Sequence, residues 1–213
     1  MVVKDRLKRS YHSARRQESA HLTRQAIAQA ALELFNQRGY RGASMDAIAE
    51  AAGVAPETIY ATFGSKRELL HYLLNVTIGG DEAPVGVIDR PEPQAVLQET
   101  DARLLIARFS SSICQILERA APVIAILSDA AKTEPELAAL QSRIRSERLE
   151  NMGKVARALS RLAPLRVSEI HAAETLWSLT SPELYSLLSG VRQWDREKYA
   201  AWLQDSLGRL LLV

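Results

Sequence analysis

The stretch from residue 44 to 63, SMDAIAEAAGVAPETIYATF, constrains the fold most, because it places a tight turn between two short helical runs. Gly53 supplies the positive φ that ends the first run. Pro56 suits the first turn of the second run, where its missing N–H costs nothing. Ala49 is small enough to let two helices cross closely. The stretch therefore predicts a helix-turn-helix.

The remainder of the chain also reads as helix. Apolar residues recur at three- and four-residue spacing from residue 22 to 35, with Thr23 as a candidate cap and Gly39 as the stop. Ser65 to Glu68 is a capping-box sequence that opens another helix, and Thr133 to Glu136 opens a long one. Further helices are predicted over about 94–119, 122–131, 168–180, 182–191 and 195–212. Strand signals are weak, so the predicted fold class is all-α.

Residues 79–93, GGDEAPVGVIDRPEP, contain three glycines and three prolines and are predicted to separate two domains. The predicted organisation is a basic N-terminal arm at 1–22, a three-helix DNA-binding domain at 23–78 with its motif at 44–63, and a larger helical domain at 94–213. The arm is basic because residues 1–24 carry seven lysines and arginines against two acidic residues. A basic segment beside a helix-turn-helix is typical of proteins that bind nucleic acid.

Residues 23–75 strongly resemble the TetR family of regulators. The resemblance rests on Ser44, Ile48-Ala49, Ala52-Gly53-Val54, Thr58-Ile59-Tyr60, Phe63, Ser65-Lys66 and Leu69-Leu70, with Ala31, Leu34-Phe35, Gly39 and Tyr40 in the preceding helix. It implies an effector-binding and dimerisation domain in the rest of the chain, a homodimer, and a double-stranded DNA operator as partner.

The resemblance also implies which residues contact DNA. Ser44 would cap the second helix and touch a phosphate, whereas Pro56, Glu57 and Thr58 would face the major groove. Tyr60 would lie against the sugar-phosphate backbone, and Lys66 would pair with a phosphate. Thr62 counts among the contact positions, although histidine or tyrosine is frequent there. Ala55 stands where serine or threonine is frequent, which removes one contact.

An effector pocket is predicted around the helix that includes residues 104–117. Three consecutive serines, 110–112, leave room beside Phe109, and Arg108 with Arg103 suits an anionic head group. The predicted lining residues are Arg108, Phe109, Ser112, Ile113, Ile116, Met152 and Trp177. The expected ligand is a hydrophobic or amphipathic small molecule.

The homodimer is predicted to form through the last helices, which offer more apolar surface than one chain can hide. The candidate interface residues are Ile170, Leu176, Trp177, Leu179, Tyr199, Trp202, Leu203, Leu207 and Leu210.

Other site types find little support. The four histidines are scattered, without carboxylates or cysteines at metal-ligand spacing, and no catalytic or phosphate-binding motif is present. We therefore expect no metal, no cofactor and no enzymatic activity. The single cysteine, Cys114, suits a reducing cytosol, and the sequence contains no secretory signal and no predicted membrane span. A cytoplasmic protein is expected.

Three functions remain open at this point. The first is a repressor released from its operator by a small effector. The second is a helix-turn-helix activator or DNA-organising protein that has no small-molecule effector. The third is a helical enzyme or binding module in which the motif is incidental. The motif argues against the third function, and the long C-terminal domain favours the first over the second.

Overall fold

The computed structural model describes residues 2–83 and 85–213, with side chains described from residue 18 onward. The helices are α1 (Val2–Gly42), α2 (Met45–Ala51), α3 (Pro56–Phe63), α4 (Lys66–Gly79), α5 (Pro91–Leu97), α6 (Ala102–Ala130), α7 (Pro135–Leu162), α8 (Glu169–Leu179), α9 (Pro182–Ser186) and α10 (Arg196–Leu211). Short 3₁₀ and π-helical turns lie at Val87–Asp89 and Leu187–Val191. No strand occurs among the described residues, where a single antiparallel bridge joins Leu165 to Leu212. The all-α prediction is confirmed.

The helices form two compact units, one ending at Leu73 and the other beginning at Leu74. The division falls within α4, so one continuous helix begins in the first unit and ends in the second. The second unit opens with the last turn of α4 and the Gly- and Pro-rich segment that follows it.

The first unit is built around the apolar face of α1. Ile27, Ala31 and Phe35 are fully or almost fully buried, and the Phe35 ring lies 5.3 Å from the ring of Tyr40. The prediction that Thr23 caps this helix is wrong, because Thr23 lies inside α1 and its hydroxyl donates a hydrogen bond to the Ser19 carbonyl. Gly39, with φ 69°, interrupts the helix near its end as predicted.

The second unit is organised by α6, which packs against α5, α7, α9 and α10. Two sequence predictions fail here. Residues 122–131 do not form a separate helix, because α6 continues through Pro122, with Ala121 and Val123 buried on either side. Thr133 does not cap α7; Glu134 takes the cap position without a side-chain bond.

Helix α6 is long and apolar enough to cross a membrane by length and composition, unlike any other described helix. Half of its apolar stretch is buried inside the second unit. The complete burial of Leu105, Cys114 and Leu127 shows that α6 is a core helix of the second unit.

Candidate nucleic-acid interface

The turn between α2 and α3 is closed by two backbone hydrogen bonds. Gly53 takes φ 67°, its N–H donates to the Glu50 carbonyl at 3.1 Å, and the Val54 N–H donates to the Ala49 carbonyl at 3.0 Å. This pair of bonds is the Schellman pattern, which needs a left-handed residue and therefore favours glycine. Ala49, at the crossing of the two helices, is fully buried. The turn fixes the direction in which α3 leaves α2.

Helix α3 presents an apolar face to the core and a polar face to solvent. Ile59 and Phe63 are buried, and the Phe63 ring contacts the ring of Tyr72 at 5.2 Å. The predicted contact residues occupy the other face: Pro56, Glu57, Tyr60 and Thr62 are exposed, and Thr58 is half-buried. Tyr60 is 47% exposed, and its hydroxyl makes no hydrogen bond to a described residue. This surface, which we call the α3 face, can accept an external partner.

The two ends of the motif differ in their capping. The Ser44 hydroxyl accepts a hydrogen bond from the Ala47 N–H at 3.1 Å, so Ser44 caps α2 as expected and remains exposed. Ala55 occupies the cap of α3 and makes no side-chain bond. Because Pro56 has no N–H and the Thr58 N–H donates to the Ala55 carbonyl at 2.9 Å, the N–H that a side-chain cap would satisfy is that of Glu57. The Thr62 hydroxyl donates to the Thr58 carbonyl at 2.7 Å within the same helix. An uncapped helix N-terminus attracts anions, including phosphate.

Lys66 has a structural role that the sequence did not reveal. Its ammonium group donates to the carbonyls of Tyr40 at 2.8 Å and Ala43 at 3.0 Å, and lies 4.5 Å from the centre of the Tyr40 ring. These carbonyls lie at and just beyond the end of α1, where helix C-termini favour cations. Lys66 therefore ties the start of α4 to the end of α1.

The side chains of the basic arm, Lys4 to Arg16, lie outside the described residues. The predicted contribution of this arm to DNA binding stays a prediction.

The residues predicted to line the effector pocket lie in three different places in the second unit. Phe109 and Met152 are buried in the main core cluster of the second unit, with Ile113 and Trp177 packed against it. Ser112 and Ile116 instead line a cleft whose other wall comes from Ile78, Gly79, Val87 and residues 90–93. Arg108 is exposed and ion-paired with Glu99.

Trp177, near the end of α8, is held against the middle of α7. The Arg148 guanidinium lies 4.5 Å from the Trp177 ring centre and donates to the carbonyls of Trp177 at 2.7 Å and Thr180 at 3.2 Å. The Trp177 indole N–H donates to the Arg145 carbonyl at 3.3 Å. Burial lowers the pKa of Arg148 to about 10, so the group stays charged at neutral pH. These contacts hold the end of α8 against α7.

The residues predicted for the dimer interface separate into three groups: four are buried, two are exposed, and Trp177, Leu179 and Trp202 are partly buried against the core. Leu176, Tyr199, Leu203 and Leu207 are completely buried within one chain, so they belong to the core of the second unit. An apolar pattern on a helix predicts that its side chains are buried, but it does not distinguish burial in the core of one chain from burial against a second copy. Ile170 and Leu210 remain 71% and 50% exposed.

Sequence reasoning missed an ion pair in the segment that it treated as a linker. Arg90 donates to both carboxylate oxygens of Asp81, at 2.8 and 2.9 Å. The hydrogen-bonded guanidinium lowers the pKa of Asp81 to about 2. The only sequence signal was the presence of opposite charges nine residues apart between glycines and prolines, and that signal is too weak to predict a pair.

A small helical unit with a glycine turn and an exposed, polar second helix is the architecture of helix-turn-helix DNA-binding proteins. Residues 27–73 match the model of the family described as bacterial regulatory proteins, tetR family. Residues 27–73 therefore carry a TetR-family DNA-binding region.

Individual relatives agree with this assignment. The transcriptional repressor BdcR of Escherichia coli K12 is 32% identical over 99 residues, covering 44% of this chain and 50% of BdcR. The transcriptional regulator AcrR of Shigella flexneri is 30% identical over 145 residues, covering 67% of this chain and 65% of AcrR. The chain thus matches about half the length of BdcR.

The fold is also found in solved structures. NalD, the secondary repressor of the MexAB-OprM multidrug efflux pump in Pseudomonas aeruginosa, superposes with a TM-score of 0.67 at 23% identity. The superposition covers 92% of this chain and 98% of NalD. The whole described architecture, including the second unit, is therefore a known fold.

Proposed function

We propose that this chain is a cytoplasmic, homodimeric transcription repressor that binds an operator through the α3 face and is released by a small hydrophobic or amphipathic effector. The observation that carries the proposal is the α3 face itself. Its side chains are turned away from the core while Ile59 and Phe63 anchor the helix behind them. Catalytic activity has no place in this proposal.

The chemistry of the α3 face suits a DNA groove. Tyr60 and Thr58 offer hydroxyl groups, and the N-terminus of α3, which has no side-chain cap, offers the backbone N–H of Glu57. Hydroxyls, backbone amides and helix N-termini are common phosphate contacts, and they position a recognition helix in the major groove. Glu57, in the first turn, can accept a hydrogen bond from a cytosine amino group, a contact that would contribute sequence preference.

A dimer is proposed because one short recognition helix reads few base pairs. Two copies related by a two-fold axis would meet half-sites about 34–36 Å apart. Exposed apolar residues of the second unit support this proposal: Ile170 at the start of α8 and Leu210 at the end of α10. Their burial against a second copy would favour association.

The effector is supported by the size of the second unit, which DNA binding alone does not require. The competing function, an activator or DNA-organising protein without effector, would use the same α3 face. The proposed repressor and this competing function differ in whether a small molecule changes the affinity of the protein for its operator.

The direct test is selection of duplexes from a random-sequence library by the purified full-length chain. We expect an enriched inverted repeat, and Tyr60→Phe and Thr58→Val should bind it more weakly than the wild type. Glu150→Gln, an exposed change in the second unit, is the control. Failure to enrich any sequence, or equal affinity of the α3-face variants, would contradict the proposal.

A further inference from the structure

The second unit contains a cleft of about 260 Å³ beside the last turn of α4. It is lined by Ile78, Gly79, Val87, Arg90, Pro91, Glu92, Pro93, Ser112, Ile116 and Arg119. The volume is slightly below the roughly 300–1,000 Å³ typical of pockets for drug-sized ligands, so a small molecule would fill the cleft.

Several hydrogen-bond donors in this cleft have no acceptor within the described part of the chain. The Nε of Arg90 is buried and unpartnered, even though the two terminal nitrogens of the same group bind Asp81. Arg119 is exposed, and its one hydrogen bond to a described residue runs from its Nε to the Thr77 carbonyl at 3.3 Å, so its terminal amino groups can meet an external acceptor. The Ser112 hydroxyl, on a side chain that is 7% exposed, makes no hydrogen bond to a described residue. The buried Arg90 Nε without an acceptor is unfavourable, so an incoming acceptor would be stabilised there.

Capping of α4 does not account for the whole arrangement. The guanidinium groups of Arg90 and Arg119 lie against the C-terminal end of α4. A Cβ added to Gly79 would lie 2.6 Å from the Arg90 guanidinium, and one added to Gly80 would lie 3.4 Å from that of Arg119. Capping explains the bond from Arg119 Nε to Thr77. It leaves the terminal amino groups of Arg119 and the Ser112 hydroxyl without a role.

The remaining lining residues indicate the polarity and the charge of a suitable ligand. Ile78, Val87 and Ile116 supply apolar surface. Glu92 adds one negative charge, which disfavours a compact multivalent anion such as phosphate because like charges repel. A single carboxylate, delocalised and bidentate, matches the guanidinium geometry.

We propose that this cleft binds a small monocarboxylic acid with an apolar tail. The carboxylate accepts hydrogen bonds from Arg119, Ser112 and the Arg90 Nε, and the tail packs against the apolar residues. The occupant touches the last turn of α4, the helix whose first residue is Lys66. The regulatory consequence of this contact rests on the proposed function, whereas binding itself does not.

Ligand-observed NMR on the full-length chain tests the binding, with benzoate and hexanoate as probes and benzamide and hexanamide as uncharged analogues. Inorganic phosphate is the third arm. Fragments of this size bind in the micromolar to millimolar range, so titration to about 20 mM is sufficient. We expect the two carboxylates to bind and the amides and phosphate to bind at least about tenfold more weakly.

Matched variants locate the site. Arg119→Gln should weaken benzoate binding at least about tenfold, and Ser112→Ala several-fold. Arg103→Gln and Ser111→Ala, which change exposed residues on the same helix, should bind as the wild type does. If Arg119→Gln does not fold, as judged by circular dichroism, Arg119→Lys and Ser112→Ala decide the question.

Several outcomes would overturn the cleft proposal: no carboxylate binding, amides or phosphate equal to carboxylates, or equal effects of Ser112→Ala and Ser111→Ala. Operator binding is measured separately on the same preparations. Operator binding without carboxylate binding refutes the cleft alone, and carboxylate binding without operator binding refutes the proposed function alone.

Discussion

Replacing Lys66 with methionine should destabilise the first unit, because the substitution removes contacts that join α1 to α4. Lys66 donates two hydrogen bonds to carbonyls, at 2.8 and 3.0 Å, from a partly buried position. Hydrogen bonds that involve a charged group contribute about 1.5–3 kcal/mol each, and partial exposure places these two at the lower end. The contact with the Tyr40 ring adds about 0.5–1 kcal/mol. The expected loss is therefore about 3.5–4 kcal/mol, a large part of the roughly 5–15 kcal/mol that stabilises a typical domain.

Urea denaturation followed by circular dichroism measures this loss. Lys132→Met is the matched control, because Lys132 makes only an exposed ion pair with Asp129 and should lose no more than about 1 kcal/mol. If Lys66→Met and Lys132→Met denature at the same urea concentration, the structural role assigned to Lys66 is refuted.

The same variant tests the predicted phosphate contact through the salt dependence of binding. If Lys66 also neutralises one phosphate in each subunit, the slope of log K against log salt should fall by about 1.8 in magnitude for a dimer. The slope is measured at a temperature where Lys66→Met is folded. Weaker binding with an unchanged slope would leave Lys66 as a structural residue only.

The other predictions concern capping, association and pH. Ala55→Ser should stabilise the chain by about 1 kcal/mol, because it supplies the missing cap of α3; an unchanged urea midpoint would contradict this. Ile170→Glu should produce a folded monomer in analytical ultracentrifugation at micromolar concentration, whereas Leu207→Glu should unfold the second unit, because only Leu207 is buried within one chain. A folded Leu207→Glu monomer would place Leu207 at the interface instead. The Asp81–Arg90 pair should persist from neutral pH down to about pH 4 and be lost as the pH falls through about 2, because Asp81 has a lowered pKa; carboxyl NMR titration with a midpoint near 4 would be inconsistent with the pair.

Local sequence signals predicted the motif well. Gly53 and Pro56 dictate turn and helix start by their own backbone preferences, so the region from α2 to α3 could be predicted without knowledge of the fold. Predictions from local signals were wrong at Thr133, which does not cap α7, and at Pro122, which does not separate two helices. Packing keeps α6 helical through the proline despite a cost of about 3 kcal/mol in an isolated helix.

Features that depend on distant parts of the chain could not be predicted. The contact of Lys66 with Tyr40 joins two helices, and Arg119 meets Thr77 across 42 positions. Arg108, expected to hold an anion, is instead ion-paired with Glu99. The spacing of apolar residues along a helix predicts which face of the helix is buried. The partner of each charged group depends instead on how distant segments come together in the fold.

The packing of α6 has a consequence for the order of assembly during synthesis. The core of the second unit gathers residues from Val96 to Leu212, and α6 packs against α10 near the end of the sequence. The first unit needs only the residues up to Leu73 to form its core. Because the chain leaves the ribosome from its N-terminus, the first unit can form while α6, still lacking α10, exposes part of its apolar surface. That interval makes the nascent second unit, rather than the first, the part of the chain most in need of chaperone protection.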